Sequence, residues 1–396
     1  MSQTSGQITV VGGGLAGLTA AITCAEQGAS VRLLEAHESL GGRARSADGP
    51  YKANLGPHAL YSDGPLWHWL AERNLLPDHV RPPLSGARFR WQGDLQRTPP
   101  LGAIPAILRL RGRKAPVDLD FRTWAASHTD ERTAAMLSSA AGVYTFHHDP
   151  GELSAAFVWE RTVRLFLSTP PPTTMVRYAR GGWTALISPL ERRARELNVE
   201  IETGHRVEVL PPGPVILATE LPQAQKLLGD EPLNRLSGRT VCLDVGVARR
   251  RGDPWIVSDL DESGWIGRYS TSDPAIAPDG HELIQAQMPI RPGESADQAG
   301  VRLERFLDQS LAGNWRERET WRRRQVMDGR SGALDLPGST WRDRPAVARG
   351  DDVYLAGDMV AAPGLLAEVS WASAIEASSL AVEAVKTTRP RLRRVA

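Results

Sequence analysis

Lysine is scarce in this sequence: among 47 lysines and arginines only positions 52, 114, 226 and 386 are lysine, and none lies between 226 and 386. A catalytic amine therefore has few candidates. Cysteine is scarcer still, at Cys24 and Cys242. Two thiols make neither a disulfide framework nor a thiolate metal cluster, so a reducing cytoplasm is the expected compartment. Cys24 falls inside an apolar helical pattern, where it reads as filler. No run of about 18 apolar residues occurs, so no membrane-spanning helix is expected. The short apolar stretch Ile8 to Val11 passes straight into glycines, not into a cleavage site, which argues against a secretory signal. An excess of charge is missing too. The formal net charge of +1 provides no field for nucleic acid or acidic partners. What remains is an ordinary globular composition, 41% hydrophobic and 23% charged over 396 residues, enough for two domains or one large one.

The first 35 residues are the most informative. Gln7 to Val11 is a short β-rich run, followed by Gly12-Gly13-Gly14-Leu15-Ala16-Gly17. Leu18, Ala21, Ile22 and Ala25 then recur at helical spacing to Gln27, and Gly28 ends the pattern. Ser30 to Leu34 reads as a second strand with Glu35 at its end. Strand, G-x-G-x-x-G, helix, strand and acid in this order predict an α/β, Rossmann-like dinucleotide site. Gly12 makes the tight turn, Gly14 admits a pyrophosphate to the backbone, and Gly17 lets helix approach strand. Glu35 is placed to accept the hydroxyls of an adenosine ribose.

Two later features extend that site. Leu40-Gly41-Gly42-Arg43-Ala44-Arg45-Ser46 offers a second backbone approach to a diphosphate, with a guanidinium beside it. Val353-Tyr354-Leu355-Ala356-Gly357-Asp358 reads as a strand ending in Gly-Asp, ahead of a helix expected over 365–385. An Asp in that position can hold a ribityl or phosphate group of an extended cofactor.

Together, G-G-G-L-A-G-L, G-G-R-A-R-S and V-Y-L-A-G-D resemble the flavin amine oxidase and phytoene desaturase superfamily. Gly56-Pro57-His58-Ala59-Leu60-Tyr61, Arg177 to Trp183 and Pro363 to Ala367 are similar to its phytoene desaturase-like branch. The resemblance implies non-covalently bound FAD, held by Gly12, Gly14, Gly17, Glu35, Gly42, Arg43 and Asp358. It adds Leu15, Ala16, Ala36, Gly41, Val207, Gly357 and Leu366 as candidate cofactor-binding residues. Three departures stand out. Ser373-Ala374 replaces the family's Ser-Gly in the late helix. Pro211-Pro212-Gly213-Pro214 occupies the place of a small β-meander. No cysteine lies near the late motif, which removes a thioether link to the flavin.

A single dinucleotide fingerprint points away from NADPH as the electron source. Hydride is expected to come from an organic substrate and to leave to oxygen, a quinone or a carrier protein. His58 and Tyr61 are the candidate catalytic residues, His58 as a base near neutral pH. Glu368 and Trp371 sit one turn apart on the late helix, with Trp371 expected to pack. Amine oxidases of the superfamily commonly place a lysine near the flavin. Its absence here favours a desaturase-like oxidoreductase acting on an apolar small molecule over an amine oxidase. A redox-neutral flavin-dependent isomerase and a non-catalytic FAD-binding protein are the further alternatives.

The cofactor domain is expected in three pieces, 1–85, 176–235 and 340–390, with a mixed α+β substrate domain from 86–175 and 236–339. The first substrate segment reads as mostly helical, with one helix over 121–141. The second begins with strands over 240–248, 255–258, 265–269 and 282–288 and continues into a helix over 299–311. His147-His148 reads as a solvated loop, with no metal site expected, and Arg316 to Arg324 as a solvated helix face. Pro99 to Lys114 is apolar with cations at its end, a pattern open to peripheral contact with the inner face of a membrane.

Overall fold

The computed structural model describes residues 6–55, 59–83, 85–167, 174–229, 233 and 235–388. Three sheets organise the chain. The first has six strands in the order Ala348–Gly350, Val353–Leu355, Val215–Leu217, Gln7–Val11, Ser30–Leu34 and Glu200–Glu202. Its pairings are parallel except at the Ala348–Gly350 edge. Ile8, Val10, Leu33, Val215 and Ile216 are fully covered or nearly so. Such continuous apolar strands belong to a parallel sheet roofed on both faces. The Leu15–Glu26 helix is apolar almost all round, with Leu15 to Cys24 buried. It packs beneath the final helix, Ala367–Thr388, where the Ser378 hydroxyl donates to the Ala20 carbonyl at 3.2 Å.

The second sheet has seven strands, ordered Glu319–Ala333, Ser237–Ala248, His281–Pro289, Trp265–Arg268, Ile256–Asp259, Ala87–Trp91 and Asp94–Gln96. It is antiparallel apart from the Ile256–Asp259 and Ala87–Trp91 pair. Side chains alternate between its faces. Val241, Leu243, Val245, Val247, Ile284, Ala286 and Met288 pack with Leu303, Phe306 and Leu307 of the Ala296–Ser310 helix. That helix opens with a capping box between Ser295 and Gln298. A short third sheet joins Leu60–Tyr61, Val176–Ala179 and His79–Val80.

Several expectations need correcting. The helix expected over 121–141 is two helices, Phe121–Ala126 and Glu131–Ala140. Asp130 divides them: its carboxylate accepts the Thr133 N–H at 3.0 Å and caps a new start. Arg316 to Arg324 is no helix face. Trp315–Arg318 is a short 3₁₀ turn, and the strand Glu319–Ala333 follows. Along that strand exposure alternates residue by residue, so the arginines obey a period of two. His147 is buried rather than solvated; its Nδ1 lies 2.9 Å from the Asp149 carbonyl. The 86–175 segment is mainly helical but also contributes the strands Ala87–Trp91 and Asp94–Gln96. Among the described residues no helix is long and apolar enough to cross a membrane.

Candidate active site

The glycine turn follows from contacts too close for any side chain. Gly12 sits at φ +104°, and a Cβ there would lie 2.5 Å from the Ala218 carbonyl oxygen. A Cβ on Gly17 would lie 1.8 Å from the Gly12 carbonyl oxygen. Gly14 is different. The nearest atom to its hypothetical Cβ is the Gly41 carbonyl oxygen, 3.9 Å away. The backbone there faces free space at the first turn of a helix, where unpaired N–H groups point outward. Leu15 and Ala16 form that first turn.

The second glycine pair closes over the first. The Gly41 N–H donates to the Gly13 carbonyl at 2.8 Å, and a Cβ on Gly42 would meet the Gly14 Cα at 3.4 Å. Glu35 is buried beside this turn. Its carboxylate accepts the Gly13 N–H at 2.6 Å and the His37 N–H at 2.9 Å. Each carboxylate oxygen retains a lone pair for one hydroxyl of a ribose. The Glu35 carbonyl accepts the His205 N–H at 2.8 Å, which brings buried Val207 and half-buried Ala36 into the same neighbourhood. An open glycine backbone at a helix N-terminus with a buried acid beside it fits a dinucleotide.

Arg43 and Asp358, expected to serve a cofactor separately, form one bidentate ion pair, with both nitrogen–oxygen distances 2.8 Å. Arg43 also donates to the Arg330 carbonyl, so the Gly-Gly-Arg loop, the end of the Glu319–Ala333 strand and the late motif meet. The Gly357 N–H donates to the Ser373 hydroxyl at 2.9 Å. Leu366 takes a left-handed φ of +52° and, with Asp358, lines a recess also bounded by Tyr144, Phe157, Arg161, Ser331 and Arg344.

Tyr61 is buried on its short strand, near Ala367 and Glu368. Burial first, and the Glu368 charge second, push its phenol well above the usual range, so it stays protonated at neutral pH and can donate but not act as a base. Arg164 stacks over it with its guanidinium 5.6 Å from the ring centre. The same guanidinium binds both Glu368 and Asp63. Glu368 is therefore committed to an ion pair rather than facing open space. Trp371 packs against the apolar core around the six-stranded sheet, as expected of it. His58 lies outside the described residues.

A polar network escaped the sequence reading. On the sheet face opposite the Ala296–Ser310 helix, buried Asp244 accepts from Gln285 at 2.8 Å, from Arg323 at 2.6 and 2.9 Å, and from Gln325 at 3.1 Å. Gln285 also donates to the Asn54 carbonyl at 2.9 Å. The Asn54 side-chain oxygen accepts from Ser46 at 2.9 Å and from the Trp183 N–H at 3.0 Å. The Gly-Gly-Arg loop is thereby moored to the second sheet. The signal was present as polar residues at alternate positions of otherwise aliphatic strands.

A model of the NAD(P)-binding Rossmann-like domain matches residues 10–73. The chain is 52% identical over 60 residues to a carotenoid 3,4-desaturase of Haloarcula japonica, covering 14% of this chain and 12% of that one. It is 30% identical over 122 residues to an L-amino-acid oxidase of Siganus canaliculatus, covering 28% and 22% respectively. The matched stretches thus span less than a quarter of these curated relatives. Cyclohexylamine oxidase from Brevibacterium oxydans superposes with a TM-score of 0.72 at 15% identity, over 96% of this chain and 100% of that one. That likeness establishes the fold. The chain is thus similar to a dinucleotide-binding domain over its first segment and to an amine oxidase in its overall fold.

Proposed function

We propose that the chain is an FAD-dependent oxidoreductase that takes hydride from a small organic substrate. The observation that carries this reading is the open Gly14 backbone beside buried Glu35, continued by the Arg43–Asp358 pair to the rim of a recess beneath the late helix. Bound there, FAD supplies a two-electron acceptor. The protein's part is to hold and orient. Glu35 would take the ribose hydroxyls, the first helix would take the diphosphate, and Arg43 and Asp358 would position the next portion of the cofactor. Tyr61 and the Arg164–Glu368–Asp63 cluster close one side of the site. The desaturase-like reading, with an apolar substrate and oxygen, a quinone or a carrier as acceptor, is supported by the identity to the carotenoid desaturase. The identity to the L-amino-acid oxidase supports a second reading, an oxidase of amines or amino acids. On the Ala103–Leu110 helix, Ile104 and Leu108 are exposed beside Leu101, with arginines following. This supports peripheral membrane contact as part of the proposal.

Purified protein is expected to be yellow and to release intact FAD on acid denaturation. Glu35→Ala should weaken FAD binding by about 1–3 kcal/mol through loss of charge-assisted hydrogen bonds. Under anaerobic conditions NADPH should leave the flavin oxidised. A colourless protein that fails to take up FAD, or rapid bleaching by NADPH, defeats the proposal.

A further inference from the structure

The recess beneath the late helix contains charges that do not cancel. It is bounded by the Ala155–Thr162 helix, by residues 331–334 at the end of the long strand, and by Asp358, Leu366 and Val369. The recess is narrow, with room at its closed end for little more than a water-sized group, so only the end of a ligand can reach into it. Three charged residues line it: Arg161, Arg344 and Asp358. Arg344 is neutralised by buried Asp335 through two bonds of 2.8 and 3.0 Å. Asp358 is neutralised by Arg43. Arg161 has no carboxylate partner among the described residues.

Arg161 is nevertheless held rigidly. Its guanidinium lies 3.6 Å from the centre of the Phe157 ring. It donates to the Phe157 carbonyl at 3.0 Å and to the Gly364 carbonyl at 3.4 Å. Two of its five N–H donors are used in this way, and a planar fork of donors remains. Burial, and next the charge of Arg344, push its pKa down to about 10. A stacked, partly covered cation beside a second cation gains from an anion. Glu160 is on the same helix but exposed, and it makes no ion pair with Arg161.

The geometry points to a carboxylate-recognition site: we propose that the organic substrate carries a carboxylate and that Arg161 is its counter-charge. This rests on the oxidoreductase reading and narrows it to acidic or zwitterionic substrates, whether their remainder is polar or lipophilic. A carboxylate meets the remaining fork of Arg161 in the plane it prefers. The dinucleotide's phosphates have their own cradle at Gly14 and the first helix.

The test uses the FAD-loaded protein and benzoate as probe, with benzyl alcohol as its neutral counterpart. Binding is followed by flavin absorbance and, independently of flavin, by calorimetry. Benzoate should bind the wild type, and Arg161→Gln should raise its dissociation constant at least about tenfold, the size expected for a charge-assisted bond. Arg161→Lys should fall between them, and all three proteins should retain the same FAD content. The inference is overturned if benzoate fails to bind the wild type, if it binds Arg161→Gln equally well, or if benzyl alcohol binds as tightly. It is also overturned if Arg161→Gln loses FAD while Arg161→Lys keeps it, because Arg161 would then serve the cofactor. Should Arg161→Gln not fold, the wild-type preference for benzoate over benzyl alcohol and the Arg161→Lys value decide. Calorimetric benzoate binding by a protein that takes up no FAD would sink the oxidoreductase reading and leave the anion site standing.

Discussion

The two faces of the seven-stranded sheet are built from the same strands and follow opposite rules. On one face Val241, Leu243, Val245, Ile284, Ala286 and Met288 meet the Ala296–Ser310 helix, and area removed from water holds them. On the other, Asp244, Gln285, Arg323 and Gln325 meet the loop that ends at Asn54, and each buried polar group needs a named partner. An aliphatic face tolerates shape changes within limits. A polar face fixes direction, because a hydrogen bond has a geometry. The first face closes the fold. The second sets where the Gly-Gly-Arg loop lies.

The sharpest challenge to that contrast is Phe306→Ala. Phe306 is 1% exposed, and its loss should cost about 3–5 kcal/mol in chemical denaturation, with FAD affinity unchanged while the protein is folded. A cost below about 1 kcal/mol would show that this face is not the core it looks to be. Gln285→Leu attacks the other face. It strips Asp244 and Asn54 of partners, so stability should fall by about 1–3 kcal/mol. Unlike Phe306→Ala, it should also weaken FAD binding, as read by flavin titration. Unchanged affinity would mean that the mooring is irrelevant to the site.

A pH effect comes next. Asp259 lies at the rim of the aliphatic face, its side chain fully covered, paired with Arg90 at 2.8 Å. Burial pushes its carboxyl up to about 6, against the pull of Arg90. The unfolded chain ionises near pH 4, so between about pH 4 and 6 the folded state holds the extra proton. Stability from this group therefore falls as pH rises through that window. Melting temperature against pH should show the decline in the wild type and not in Asp259→Asn; parallel curves would refute the assignment. The smallest effect belongs to Val326, whose strand neighbour Val241 is covered while Val326 itself is 46% exposed. Val326→Thr should shift stability by no more than about 0.5 kcal/mol, because the aliphatic face counts only where a helix roofs it.

The nucleotide turn was legible because its information is contiguous. Gln7 to Glu35 spells strand, turn, helix, strand and acid without help from elsewhere, and the two strand spans match the structure. The helix begins three residues earlier than its apolar pattern, at Leu15, because a first turn needs no apolar face. The rest depended on partners far along the chain. Asp244 reads as an intruder in a strand until Arg323 is placed beside it. Arg161 reads as a surface helix residue until Gly364 and Arg344 are brought to it. Arg316 to Arg324 looks like a solvated helix because charge hides period; Trp321, Arg323 and Gln325 at alternate positions held the strand signal. The break at Asp130 was readable in principle, since Thr129-Asp130 followed by Glu131 is an N-cap signal inside the expected helix.

The mooring at Asn54 has a consequence in time. The loop that carries Gly41 to Arg43 and ends at Asn54 is made well before its partners Gln285 and Arg323, which lie 231 and 269 residues beyond Asn54. A ribosome adding about 5–20 residues per second delivers the glycine motif well before anything exists to hold the neighbouring loop in place. The opening strand waits as well, because Val215 to Leu217 and then Val353 to Leu355 must arrive to cover it. Acquisition of the cofactor therefore waits on segments far along the chain, and a nascent chain stalled before residue 325 should carry the glycine fingerprint and still have no finished place for a dinucleotide.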